Sequence, residues 1–351
     1  MIILKIIGVL FLIGIIVLTY FWFNVSQDMM KHITKNPTNG SIYLKKNNKV
    51  ILDKHADRLM PLASTVKIIV AIEFVKQVSS NKIDISQNVS LDELEKYHLQ
   101  YTDGGAHQEW LSSMKKQKHI IDNKINILEV VKGMIEFSSN ANTEYLMDQL
   151  GYENLDRLLK ELALKQHEKL YPFVSSLFVL KDNSLETLNK MTKKEYIELS
   201  FQINKRLKAG EIDTKLSKED LKKNFTKEKI KLFSEYFIQG TAKEYVSIIE
   251  KLNSREYFST IQYAYIDYIM TPTYPSTDAI HSGFKGGSTR FILTMAFYGT
   301  YKNGDKIEVA LFLNNLNIFQ YYYYYIGFWK IDLDILKDKK LIEFQNILKE
   351  N

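Results

Sequence analysis

The sequence predicts an α/β chain of the α+β kind. An antiparallel sheet built from both ends of the chain carries terminal helices on its face, a mainly helical lobe is inserted between, and a transmembrane helix comes first. Three observations predict this. Strand-like segments lie near residues 41–53 and again at 281–314. Between residues 80 and 272 apolar positions recur with the period of a helix. Ile6–Phe23 is an uncharged apolar run of 18 residues, which at about 1.5 Å per residue approaches the hydrocarbon thickness of a bilayer. The expected partition is a signal-anchor over 1–24, a tether over 25–40 and one domain over 41–351. Within that domain the sheet lobe takes 41–64 and 275–351, and the helical lobe takes 65–274.

The anchor comes first in the chain. Lys5 precedes the run, and Tyr20 and Trp22 stand at its far end like an interfacial belt. A cleaved signal peptide is the competing reading; it needs a small-x-small site, and the first alanine is Ala56. An uncleaved single-pass anchor, with the bulk of the chain outside the cytoplasm at the cell membrane, is therefore expected. Residues 25–40 are polar and end in the turn Asn36-Pro-Thr-Asn-Gly40.

Composition excludes several classes. The chain has 351 residues and no cysteine, so disulfide frameworks and thiolate metal sites are ruled out. Its 7 histidines contain no His-x-x-x-His pair, and neither a metal nor a cofactor is expected. The net charge of +6 is dispersed, with no basic block, which speaks against nucleic acid as a partner. A small-molecule or cell-wall substrate and a monomeric chain are the expected state.

The next elements follow in order. Ser41–Lys45 and Val50–Asp53 flank Lys46-Asn-Asn-Lys49 as a hairpin. Ser90–Glu93, Thr192–Glu195 and Thr241–Glu244 read as capping boxes. Periodic segments cover Ile125–Phe137, Asn140–Leu150, Asn154–Leu164, Glu195–Leu207 and Tyr245–Leu252. Thr102–Trp110 is a glycine loop leading into a short helix, and Tyr101, His107 and Trp110 either wall a cleft or belong to a capped helix start with a buried Trp. Residues 281–288, 291–301 and 306–314 read as strands, and 316–349 as helical. The aromatic run Tyr321–Tyr325 either packs over the sheet or touches a membrane surface.

Chemistry concentrates in Arg58–Glu73. Ser64 and Lys67 stand three residues apart, on one face of a helix that is apolar from Val66 to Val75 apart from Lys67 and Glu73. Burial and the helix dipole both disfavour a cation there, so Lys67 is pushed toward the neutral amine that can take a proton from the Ser64 hydroxyl. Ser-x-x-Lys also occurs at Ser79, Ser112 and Ser113, all in polar surroundings. Ser138-Ser-Asn140 falls where one helical segment breaks and the next begins; it is either an ordinary N-cap pair or a hydroxyl and an amide aimed at a cleft. Lys285-Gly-Gly287 falls on a strand, where glycines suggest close approach of a ligand.

In that order, Ser64-Thr-Val-Lys67, Ser138-Ser-Asn140 and Lys285-Gly-Gly287 resemble the motif set of the penicillin-recognising serine hydrolases, the class A β-lactamases and penicillin-binding proteins. The resemblance covers about residues 40–350 and implies the β-lactamase/transpeptidase-like fold. It implies that Ser64 is acylated, that Lys67 transfers protons and that Ser138 relays one to the leaving group. Asn140 would bind the substrate amide and Lys285 a substrate carboxylate. The backbone N–H groups of Ser64 and Ser288 would form the oxyanion hole, with Gly287 beside it.

Two departures stand out. Gly286 replaces the usual Thr or Ser, so Thr289 or Arg290 would have to supply the missing contact. The Glu-x-x-Leu-Asn element of class A β-lactamases has no match, Glu186-Thr-Leu-Asn189 being one residue short. The expectation is a membrane-anchored serine hydrolase acting through acyl-Ser64 on a cell-envelope amide or ester, or a β-lactam. The alternative is a penicillin-binding or sensor protein that is acylated without efficient turnover. A structural envelope protein that keeps the fold without catalysis is disfavoured by the intact Ser64, Lys67, Ser138 and Lys285.

Overall fold

The computed structural model describes residues 19, 22–273 and 278–350, except the Trp329 side chain. The expected anchor at 6–23 lies outside the described residues apart from 19, 22 and 23, and no helix among the described residues is long and apolar enough to cross a membrane.

The first described element corrects the tether. Residues 22–35 form a helix, α1. Val25, Met29, Met30 and Ile33 recur on one face and are fully buried. Burying such side chains contributes about 1.5–3 kcal/mol each, enough to hold a short helix that would be marginal alone. The polar residues that suggested a tether occupy other faces. Ser26 donates to Asp334 (2.9 Å), and Asp28 accepts from Tyr323 (2.9 Å). Only residues 36–39 remain as a turn.

The hairpin follows as β1 (Gly40–Lys46) and β2 (Lys49–Lys54), then a short β3 (Leu59–Pro61). A 3₁₀ turn, Ala63–Val66, opens directly into α2 (Lys67–Ser79). Two more short strands, β4 (Asn88–Ser90) and β5 (Lys124–Asn126), pair with each other. Around them run α3 (Leu91–Glu95), α4 (Ala106–Lys116), α5 (Ile127–Glu136) and α6 (Asn140–Leu150). The helical lobe continues through α7 (Tyr152–Glu161), α8 (Phe173–Asp182), α9 (Leu185–Lys190), α10 (Lys193–Lys208), α11 (Lys218–Asn224) and α12 (Lys227–Tyr236). Then come β6 (Gln239–Thr241), α13 (Ala242–Ser254) and α14 (Thr260–Met270). Strands β7 (Ala279–Thr289), β8 (Ile292–Tyr301) and β9 (Lys306–Leu313) precede α15 (Ile318–Asp334) and α16 (Asp338–Lys349).

The main sheet is antiparallel in the order β2-β1-β9-β8-β7, so strands from the two ends of the chain meet at β1–β9. One face packs on α1, α15 and α16 through Met30, Leu44, Leu311 and Phe344. The other belongs to the core of the helical lobe through Ala310 and Phe312. This mixed fold, with its sheet and many helices, agrees with the sequence expectation. The pairing of β3 with β6 was not expected; three residues are too few to show a period. The expected capping box at Thr192 forms, whereas Ser90 caps Asp92 N–H instead of closing a box with Glu93. In the aromatic run, Tyr323 and Tyr324 turn toward α1, while Tyr322 and Tyr325 stay exposed.

Candidate active site

The site lies where the free edge of β7 meets the turn before α2 and the break between α5 and α6. Each element presents its residue for a local reason. Ala63 has φ of 44°, a left-handed conformation that costs a non-glycine residue about 1–3 kcal/mol and persists only where surroundings fix it. What fixes it is a hydroxyl pair that the sequence reading missed. Thr294 donates to the Leu62 carbonyl (2.8 Å) and accepts from Thr65 (2.7 Å), tying the turn to β8. A lone Thr in the otherwise apolar Phe291–Phe297 was the available signal.

Gly287 explains the glycine of the strand motif. A Cβ there would lie 2.6 Å from Ser64 N and 2.9 Å from Leu62 O, and both are backbone atoms that cannot yield. Strand and turn therefore touch without a side chain between them, which brings the stretch Gly287–Ser288 beside the Ser64 backbone. Gly286 behaves differently. Its Cβ would meet the Phe284 ring at 3.2 Å, so that ring borders the place of the expected Thr side chain. Thr289 is turned toward Ser234 on α12 (3.4 Å), and Ser288 is exposed, its hydroxyl bonded to Tyr321.

At the α5–α6 break, Ser139 is the N-cap of α6 and accepts from Asn142 N–H (3.2 Å). This frees Ser138 and Asn140 for the cleft. Ser138 sits at φ of 69° and turns both its carbonyl and its hydroxyl to Lys67, at 2.7 and 3.2 Å. Lys67 also donates to Asn140 Oδ1 (2.8 Å), which leaves the Asn140 NH₂ free of that contact. From the other side, Lys285 reaches Ser138 Oγ at 3.1 Å and the Gly286 carbonyl at 2.9 Å. The Ser138 hydroxyl is thus held between two lysine side chains.

Electrostatics follow from burial. Lys67 is 1% exposed, and burial holds it well below the usual lysine range; Lys285 pushes the same way and Asp103 opposes. Burial also lowers Lys285 to about 7. Lys67 carries no hydrogen bond to the Ser64 hydroxyl. Its contacts go to Ser138 and Asn140, an arrangement in which a neutral amine can still accept a proton as substrate arrives.

The structure therefore brings Ser64, Lys67, Ser138, Asn140, Lys285 and Gly287 into one neighbourhood, and leaves Thr289 tied to α12. The carboxylates of the following region are engaged elsewhere. Glu168 is paired with Lys193 (2.6 Å), Asp182 with Lys181 (2.9 Å) and Glu186 with Lys190 (2.7 Å). Of the cleft-wall candidates, Trp110 and His107 are fully buried and Asp103 caps α4 through His107 N–H (3.0 Å); only Tyr101 is exposed.

Comparison with known proteins agrees with this geometry. Residues 24–310 match a family model described as β-lactamase enzyme family. No curated protein sequence matches the chain. Among solved structures, PBP-A is similar with a TM-score of 0.53 at 14% identity, covering 93% of this chain and 94% of its own. A β-lactamase from Chitinophaga pinensis DSM 2588 is similar with a TM-score of 0.52 at 13% identity, covering 83% of this chain and 91% of its own. A class A β-lactamase representative from Bacteroides cellulosilyticus DSM 14838 gives 0.51 at 14% identity, with 93% and 96% covered. At such identities the likeness speaks for the fold.

Proposed function

The chain belongs to the β-lactamase enzyme family as a serine hydrolase, and on that premise we propose that it forms an acyl-Ser64 intermediate with a β-lactam or a cell-envelope amide or ester. The observation that carries this is the Ser138 hydroxyl held between Lys67 and Lys285. Neutral Lys67 takes the Ser64 proton as Ser64 Oγ attacks the carbonyl carbon. The oxyanion is met by the backbone N–H groups of Ser64 and Ser288, where backbone donors stabilise the tetrahedral intermediate. As the bond to the leaving nitrogen or oxygen breaks, Ser138 gives it a proton and recovers one from Lys67. The net result is transfer of the Ser64 proton to the leaving group. Lys285, when protonated, attracts a substrate carboxylate, and Asn140 Nδ2 donates to the substrate amide.

The reading in which acylation outruns turnover is favoured by the lysine pairs on Glu168, Asp182 and Glu186. A mutant of PBP-A, similar in fold, is known as an acyl-enzyme complex with penicillin G. Intact-mass analysis after incubation with a penicillin tests acylation: one added penicilloyl mass on Ser64 is expected, and an unmodified chain at high penicillin would overturn it. We also propose a single-pass anchor at residues 6–23 with the domain outside the cytoplasm, supported by the apolar run and by the exposed Trp22 and Phe23 at its end. N-terminal sequencing of the membrane fraction tests it, a mature chain starting near residue 25 being the adverse result.

A further inference from the structure

Beside the active site lies a second cluster of side chains. Glu95 ends α3, His98 follows three residues later, and His107 sits in the first turn of α4 across the Asp103-Gly-Gly105 turn. One donor atom from each lies within 4.8 Å of the others. Glu95 Oε2 is 3.0 Å from His98 Nδ1, and Glu95 Oε1 is 3.4 Å from His107 Nε2. With metal–ligand bonds of about 2.0–2.2 Å, the edges of a tetrahedral zinc site are about 3.3–3.6 Å. The two contacts use different oxygens of the Glu95 carboxylate, so an ion between the histidines would be met by either oxygen after a small rotation of that side chain, the three donors already lying within 4.8 Å of one another.

A second, independent feature points to a ligand. His107 is fully buried, and its Nε2 forms no hydrogen bond of good geometry, Glu95 Oε1 standing 3.4 Å away, an expensive state for a ring nitrogen in the core. Its other nitrogen, Nδ1, lies 2.8 Å from Ser139 Oγ. A metal-bound imidazole wants that arrangement: one nitrogen on the ion and the opposite N–H fixed by an oxygen. The Gln108 amide nitrogen lies 2.9 Å from His98 Nε2. Exchange of the amide nitrogen and oxygen by a flip of that side chain lets Gln108 accept Nε2–H and leaves His98 Nδ1 for an ion. Glu95 has a half-exposed side chain (48%), so the site opens to solvent on that side for entry and for a fourth, water ligand.

We propose that Glu95, His98 and His107 bind one divalent transition ion of the zinc class. The site is structural. Bound there, the ion would clamp α3 to α4 and, through His107 and Ser139, brace the α5–α6 break that carries Ser138 and Asn140. Sequence spacing hid it, because Glu95-x-x-His98 and a histidine nine residues on match no sequence-adjacent ligand pattern.

The test uses the full-length protein, stripped with a chelator and titrated with Co²⁺, with Zn²⁺ as competitor. Expected are visible bands of tetrahedral Co²⁺ reaching one equivalent per chain, their displacement by Zn²⁺, and a Zn²⁺-dependent rise in Tm. Glu95→Gln and His98→Gln should each lose the bands and the Tm rise. Both are chosen over His107 because Glu95 is half-exposed and His98 lies nearer the surface, and circular dichroism checks their folding. Absence of Co²⁺ bands and of a Tm rise in the parent protein would overturn the proposal, as would one-equivalent binding that survives in both variants.

Discussion

Two sides of the cleft were built to different standards. On the side of α2, α6 and β7, the two lysines of the motif set are buried and bonded: Lys67 to Ser138 and Asn140, and Lys285 to Ser138. On the side of α8 and α9, the carboxylates at Glu168, Asp182 and Glu186 pair with lysines, and Phe173–Leu180 is apolar apart from Ser175 and Ser176. Glu144, raised to about 7 by burial, is a base in waiting by its affinity for protons alone. Yet its oxygens already accept from Val174 N–H, Ser175 and Asn204 (3.0 Å), so it serves to hold the start of α8. Forming an ester on Ser64 and removing it are separable tasks, and the proposed function assigns this cleft the first.

The comparison breaks most sharply at Lys67. Lys67→Ala should slow Ser64 labelling by a fluorescent penicillin by about 10²–10⁴-fold, the usual worth of a proton-transfer group. Labelling at the parental rate in a folded variant would remove Lys67 from the chemistry. The other side is tested by turnover. Without a positioned base, hydrolysis of nitrocefin should stop near one equivalent, a deficit of about 10²–10⁴-fold against an equipped enzyme. Sustained turnover that disappears in Ser64→Ala would show that the α8 side holds a working base after all.

A smaller effect sharpens the electrostatic half. Lys285 is protonated below about 7 and neutral above it. Attraction for a carboxylate-bearing substrate is therefore full at lower pH and lost as pH rises through that value. The second-order acylation rate should fall about tenfold per pH unit on the alkaline limb. Lys285→Arg should move that limb upward, because a guanidinium stays charged; an unmoved limb would assign it to another group. The last test is Gly287→Ala, whose Cβ meets Ser64 N and Leu62 O. Overpacking of this kind costs about 1–3 kcal/mol, read as a lower Tm together with slower acylation. A Tm within a degree of the parent would mean that the turn can retreat.

The motif residues were legible because their chemistry forces local signals: an apolar helix interrupted by Lys67, a helix break at Ser138, glycines in a strand at 286–287. Their mutual distances were supplied only by resemblance. Strand positions at both chain ends were legible from pattern, but their meeting at β1–β9 spans most of the chain, and no local signal encodes it. The tether was misjudged for a different reason. Gln27, Asp28, Lys31 and Lys35 dominate the composition, while the burial stripe Val25, Met29, Met30, Ile33 was present at helical spacing and carried the structure. Thr294 and the Glu95–His98–His107 cluster show the limit of a linear reading, since each acts through partners far away in the chain or across a turn.

The docking of α1 bears on reach. Sixteen unstructured residues would act as a leash, letting the domain wander by about 5–6 Å times the square root of their number. A 14-residue helix of about 21 Å, seated so closely that a Cβ on Gly327 would lie 2.4 Å from Met29 and from Val25, acts as a shaft instead. The sheet and α1 therefore move together. Under the anchor proposed at residues 6–23, that shaft would hold the cleft at one height and one tilt.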